Sequence, residues 1–172
     1  MNTQEFLKKI ETELKISKNS EHTIRNYLSA NSKLLRFTRK SPEEINQDDI
    51  KSFMADNLAS KSSSSIILFL SAIKFAYSNI FQRNPTVNIK RPKKERKIPA
   101  VLTKEEVKAV INTINVKKSK LMISLMYACG FRVSELVNLK VKDINFEEKT
   151  GYIRHGKGKK DRIFNIPESL FS

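Results

Sequence analysis

Apolar residues recur at helical spacing through most of the first eighty positions. Phe6, Leu7, Ile10 and Leu14 fall on one face of a predicted first helix, and Ile24, Tyr27, Leu28, Leu34 and Leu35 carry the same period through a second. A third is expected after Asn46, because the carboxylates of Asp48 and Asp49 suit a helix N-terminus, and its apolar positions are Ile50, Phe53, Met54 and Leu58. The serine cluster at 62 to 65 opens a fourth, which runs through Ile66, Ile67, Phe69, Leu70, Ile73, Tyr77 and Ile80. Together these predict a four-helix domain over residues 1 to 83, with the apolar faces as its core.

The pattern breaks between residues 84 and 100. Pro85, Pro92 and Pro99 interrupt any helix, and Lys90, Arg91, Lys93, Lys94, Arg96 and Lys97 are offset only by Glu95. This reads as a basic linker. A second unit over 101 to 172 opens on Thr103-Lys104-Glu105-Glu106, the spacing of a reciprocal threonine–glutamate cap, with Val107, Val110, Ile111 and Ile114 as the buried face of its helix. A further apolar helix is expected from about 119 to 129, with Gly130 ending it in the left-handed conformation, and a short one from Arg132 to Leu139. Beyond Asp143 the period shortens to that of strands at 152 to 154 and 162 to 166, on either side of a turn. The expected fold class is mainly α with a small β-hairpin or sheet. With few elements left to cover it, the helix around Leu121 is expected to expose apolar surface.

Charge changes the picture. A formal net charge of +15 on 172 residues exceeds what solubility needs and implies a polyanionic partner, with nucleic acid first and an anionic membrane surface as the rival. No run of eighteen apolar residues, signal-peptide core or basic amphipathic helix is evident, so the expectation is a cytoplasmic chain without a membrane partner. Cys129, the single cysteine, lies in an apolar run and reads as a buried structural thiol. His22 and His155 stand apart from other ligand types. No metal or cofactor is expected.

Two features could carry chemistry. Arg132 follows an apolar helix and a glycine, where a core can fix its rotamer, and its guanidinium fork fits two phosphate oxygens. The competing reading is a structural ion pair with Glu135 or Asp143. Lys157 sits in Gly156-Lys157-Gly158, where flanking glycines allow close approach to a phosphate backbone. Lys159 and Lys160 read as general phosphate contacts, and Arg162 as either such a contact or a structural cation.

The run Gly130-Phe131-Arg132-Val133-Ser134-Glu135-Leu136, within 127 to 144, resembles the first active-site arginine box of the Xer-type tyrosine recombinases, the phage-type integrase family. The turn at 156 to 162, followed by Ile163-Phe164-Asn165-Ile166-Pro167, is similar to that family's lysine hairpin. The resemblance implies that Arg132 is a catalytic arginine, that Lys157 enters the minor groove and protonates a departing 5′ oxygen, and that Glu135 and Asp143 support the site. It also implies a helical core-binding, SAM-like domain over 1 to 83 and the first part of an α+β catalytic domain over 101 to 172. Thr23-Ile24-Arg25-Asn26-Tyr27 resembles the family's second-helix start, which makes Arg25 a DNA contact alongside the linker cations.

In that family a histidine-x-x-arginine box and a tyrosine nucleophile come later in the chain. None of Tyr27, Tyr77, Tyr127 and Tyr152 resembles that nucleophile, and the first three read as core positions. The leading expectation is the N-terminal portion of a site-specific recombinase that lacks the C-terminal catalytic half and binds double-stranded DNA without cleaving it. A second copy of itself or a full-length recombinase on the DNA are open partners. The alternative is a non-catalytic DNA-binding protein of recombinase ancestry, acting as regulator or competitor. An RNA-binding protein is a third reading, weakened by the lack of an aromatic stacking motif on strands.

Overall fold

In the computed structural model, residues 1–93, 98–154, 156 and 160–170 are described. The chain divides into two units, Met1–Lys97 and Ile98–Ser172.

The first unit consists of α1 (Thr3–Ile16), α2 (Glu21–Thr38), α3 (Gln47–Leu58) and α4 (Ser63–Ile80), with a 3-10 turn at Pro42–Glu44. Polar side chains start each helix, Asn2 and Ser20 capping α1 and α2, and Asn46 and Ser62 capping the two for which the sequence leads one to expect it. Asn46 Oδ1 accepts from the amides of Asp48 and Asp49 at 2.9 and 3.0 Å, while Asp49 Oδ2 accepts from the Asn46 amide at 3.0 Å. Ser62 Oγ accepts from the Ser65 amide at 3.3 Å. Phe6, Ile10, Leu14, Leu34, Ile50, Ile73 and Tyr77 are fully or almost fully removed from solvent, each such burial contributing about 1.5–3 kcal/mol. Ile24, Tyr27, Leu28, Met54 and Leu58 pack against this core but stay partly exposed. Asn31 is buried among them, and its Nδ2 donates to the Tyr27 carbonyl at 2.9 Å and to the Ala72 carbonyl at 3.3 Å, tying α2 to α4.

Among the described residues one helix, α4, with 18 residues at a mean hydropathy of 1.2, is long and apolar enough to cross a membrane by length and composition. Six of its residues, Phe69, Leu70, Ala72, Ile73, Ala76 and Tyr77, are buried in the four-helix core, which accounts for that apolarity. The first unit also continues past residue 83. Arg83 Nη2 donates to the Pro42 carbonyl at 3.3 Å, Asn84 Oδ1 accepts from the amide and hydroxyl of a buried Thr86, and Ile89 packs on the core. Side-chain bonding to backbone two residues on makes this stretch a folded turn rather than linker.

The second unit contains α5 (Lys104–Asn112), α6 (Lys117–Cys129), α7 (Val133–Asn138), a 3-10 turn at Val141–Asp143, and strands β1 (Ile144–Asn145), β2 (Thr150–Ile153) and β3 (Arg162–Asn165), followed by a 3-10 turn at Glu168–Leu170. The strands form an antiparallel sheet in the order β1-β2-β3. The protein is thus mainly α with one small sheet. Thr103 and Glu106 cap α5 reciprocally, and Gly130 ends α6 at φ 62°. Phe131, Leu136, Ile153, Phe164 and Ile166 form a small core, with Leu125, Met126, Cys129 and others partly buried against it.

The buried face expected on α5 is corrected. None of its residues is buried, Val110 is exposed, and Val107, Ile111 and Ile114 are only half-covered. Helix α6 likewise buries none of its residues, and Leu121 and Tyr127 are exposed, so Tyr127 is not a core tyrosine. The reason is shared: five buried side chains and a three-stranded sheet cover one side of α6 and reach no further. Cys129 is half-buried rather than buried. Its thiol donates to the Asn165 carbonyl at 3.3 Å, and burial pushes its pKa up, which keeps it protonated.

Candidate nucleic-acid interface

Gly130 in the left-handed conformation turns the chain sharply out of α6, so that Phe131 enters the core and Arg132 occupies the N-cap of α7. Arginine has no acceptor for the helix amides, so Glu135 alone completes the cap. Its Oε2 accepts from the Arg132 amide at 3.1 Å. The same carboxylate then reaches the side chains. Glu135 Oε1 accepts from Arg132 Nη1 at 2.7 Å, and Oε2 accepts from Arg162 Nη2 at 3.0 Å. Glu135 is 6% exposed, yet the backbone amide of Arg132, the Arg132 guanidinium and the Arg162 guanidinium hold its pKa down at about 2 against the opposing effect of burial.

Arg132 therefore forms the ion pair that was its competing reading, but its side chain remains 56% exposed. One nitrogen of the fork is committed to Glu135, and much of the guanidinium still faces solvent. Asp143 does not join this pair. Its Oδ2 accepts from the Lys140 amide at 3.2 Å, and Oδ1 pairs with Arg154 Nε at 3.3 Å, bracing the approach to β1 against the end of β2.

Arg162 is turned inward. Along β3 and just beyond it, Phe164 and Ile166 are buried while Ile163 and Asn165 are exposed, and Arg162 shares the inner face. Its Nη2 donates to the Gly130 carbonyl at 3.0 Å as well as to Glu135, and its guanidinium lies 5.6 Å from the centroid of the Phe131 ring. Of its two expected roles, these partners are those of a structural cation. Period-two alternation through Phe164 and Ile166 was the available sequence signal. The partner, 27 positions away, was not legible.

The hairpin closes on the same carboxylate. The Gly156 amide donates to the Lys160 carbonyl at 3.1 Å, and a β-carbon on Gly156 would stand 3.2 Å from Glu135 Oε1. The base of the turn thus abuts the Arg132 partner. Lys160 is exposed beside it. Lys157 and Lys159, and Lys94, Arg96 and Lys97 of the linker, lie outside the described residues; Lys90, Arg91 and Lys93 are exposed.

On the first unit Arg25 is exposed on α2. The same helix lines a shallow open groove formed by His22, Asn26 and Tyr27 of α2 and by Ser64, Leu68 and Ser71 of α4, with Asn26 Nδ2 and His22 Nε2 3.0 Å apart. The α4 residues of this groove were missed in the sequence, because they come beside His22, Asn26 and Tyr27 only when the two helices pack.

Comparison with known proteins agrees with this division. Residues 6–86 match the phage integrase N-terminal SAM-like domain, and residues 100–172 match the phage integrase family. The chain belongs to the phage integrase family of tyrosine recombinases. It is 32% identical over 166 residues to the tyrosine recombinase XerA of Pyrococcus horikoshii, covering 96% of this chain and 57% of that protein. It is 34% identical over 170 residues to XerA of Pyrococcus furiosus, covering 98% and 58%. The integrase-family chain therefore spans less than two thirds of these relatives. Among solved structures it is similar in fold to a lambda integrase dimer bound to a COC′ core site, with a TM-score of 0.73 at 18% identity over 93% of this chain and 47% of that one. The Tn1549 transposon integrase in complex with transposon right end DNA gives 0.68 at 16% identity, over 99% and 62%.

Proposed function

We propose that this chain is the DNA-holding portion of a site-specific tyrosine recombinase, which grips double-stranded DNA through both units and carries two of the active-site cations but does not cleave by itself. The observation that carries the reading is the half-exposed Arg132 guanidinium, anchored by a buried carboxylate at the base of the lysine hairpin. A guanidinium fixed at one nitrogen and open at the others can donate to non-bridging phosphate oxygens and offset the charge of a pentacoordinate phosphorus. Lys157, in the run between β2 and β3 that resembles the family's lysine hairpin, would supply the proton for a leaving 5′ oxygen in the complete enzyme. Arg25 and the groove between α2 and α4 form the contact of the first unit, with the net charge of +15 drawing in the polyanion. Relatives solved on DNA support the choice of ligand.

Strand transfer through a covalent intermediate needs an activated nucleophile as well as cations. Tyr77 is buried and Tyr27 half-buried in the first unit, while Tyr127 and Tyr152 are exposed on the second, and none has the sequence context of a recombinase nucleophile. Incubation with nicked duplex DNA that traps a phosphotyrosyl adduct tests both halves of the reading. Retarded DNA with no covalent adduct is expected. An adduct abolished by one Tyr→Phe change would overturn the non-cleaving half, and no DNA retention at low salt would overturn the whole.

A further inference from the structure

We infer that Arg162 is a positioning residue for the phosphate site: by sharing the Glu135 carboxylate with Arg132, it leaves Arg132 a net positive charge to offer a phosphate and locks the lysine hairpin to the arginine helix. The inference rests on the proposed role of Arg132 as a phosphate ligand. Its basis is a three-residue arrangement with an uneven charge count. Two guanidinium groups converge on one carboxylate, with contacts of 2.7 Å from Arg132 and 3.0 Å from Arg162. Arg132 and Glu135 alone would form a closed, neutral pair. Arg162 restores a charge of +1 to the cluster.

Geometry gives Arg162 a second part in the site. It binds the carbonyl of Gly130, the residue that redirects the chain into Arg132, and lies over Phe131, whose ring meets Phe164 of β3 edge-on at 4.6 Å between centroids. Arg162 is also the first residue of β3, where the chain leaves the lysine turn. One side chain therefore touches the exit of α6, the cap of α7 and the root of the hairpin. A lysine can supply the charge at this point, while a glutamine supplies hydrogen bonds without it.

The test uses the present chain with inorganic phosphate as probe, following the Arg132 Nε–Hε resonance by NMR in the wild type, Arg162→Lys and Arg162→Gln. Glu135 stays ionised at neutral pH, so removing the Arg162 charge lets it neutralise Arg132. Phosphate affinity is expected to fall about three- to tenfold in Arg162→Gln, with recovery of most of it in Arg162→Lys. Amide shifts across the β2–β3 ladder show whether each variant keeps its fold. If Arg162→Gln keeps its fold and binds phosphate as the wild type does, the positioning role is wrong. If Arg162→Gln does not fold, the wild type decides: phosphate added at Arg132 must also shift the Arg162 Nε–Hε and Glu135 carboxyl signals, and their immobility overturns the inference. Absence of any Arg132 response in the wild type would instead sink the phosphate-ligand reading beneath it.

Discussion

Gly151 and Phe164 stand opposite each other in the β2–β3 ladder, and the Phe164 ring occupies the space that a side chain on Gly151 would need. The Asp143 carbonyl, 2.8 Å from the same point, closes the other side. Backbone on one flank and a buried ring on the other leave no room to yield. Gly151→Ala should therefore destabilise the second unit by about 1–3 kcal/mol, as overpacking does. Two-probe thermal melting, with a near-UV signal for each unit, should show the second transition fall while that of residues 1–97 stays in place.

Glu135 makes the stability of the second unit depend on pH. Its pKa is about 2 in the folded protein and returns to the ordinary carboxylate range on unfolding. A depressed folded value means that the stabilisation is complete above about pH 5 and is lost as pH falls toward 2. Denaturant midpoints measured from pH 6 to pH 2.5 should decline steadily for the wild type. Glu135→Gln should start lower at pH 6 and decline less, since this titration is gone.

DNA binding should be strongly salt-dependent. If about six phosphates are neutralised, affinity should fall roughly a thousandfold between 50 and 200 mM salt. Replacing Lys93, Lys94, Arg96 and Lys97 together by alanine should flatten that slope and weaken binding to unrelated sequences alike, because phosphate contacts carry no base information. Fluorescence anisotropy on two unrelated duplexes measures both, and loss confined to one duplex would make the linker a base reader.

The exposed apolar positions of α5 and α6, Val110, Leu121, Ile123 and Tyr127 among them, should make this chain bind hydrophobic dye and self-associate as its concentration rises. Leu121→Glu should reduce both effects without changing the melting of residues 1–97. Sedimentation at several loadings provides the check, and a strictly monomeric wild type would contradict it.

Much of this was written in local sequence. The four N-terminal helices, the caps at Asn46, Ser62 and Thr103, the left-handed Gly130, Arg132 at a helix start and the two strands β2 and β3 follow from period, capping chemistry and glycine freedom, all of which act within a few residues. Three features did not. The turn at 84 to 89 reads as linker until Thr86 and Ile89 find the core. The apolar positions of α5 read as core until the small size of the sheet leaves them bare. Arg162 reads as one more cation in a basic turn until β3 brings it to Glu135 and Gly130. Each depends on partners more than twelve residues away or on how much surface is available to cover a face. Local periodicity determines which side of an element is apolar, and only tertiary packing decides what, if anything, meets it.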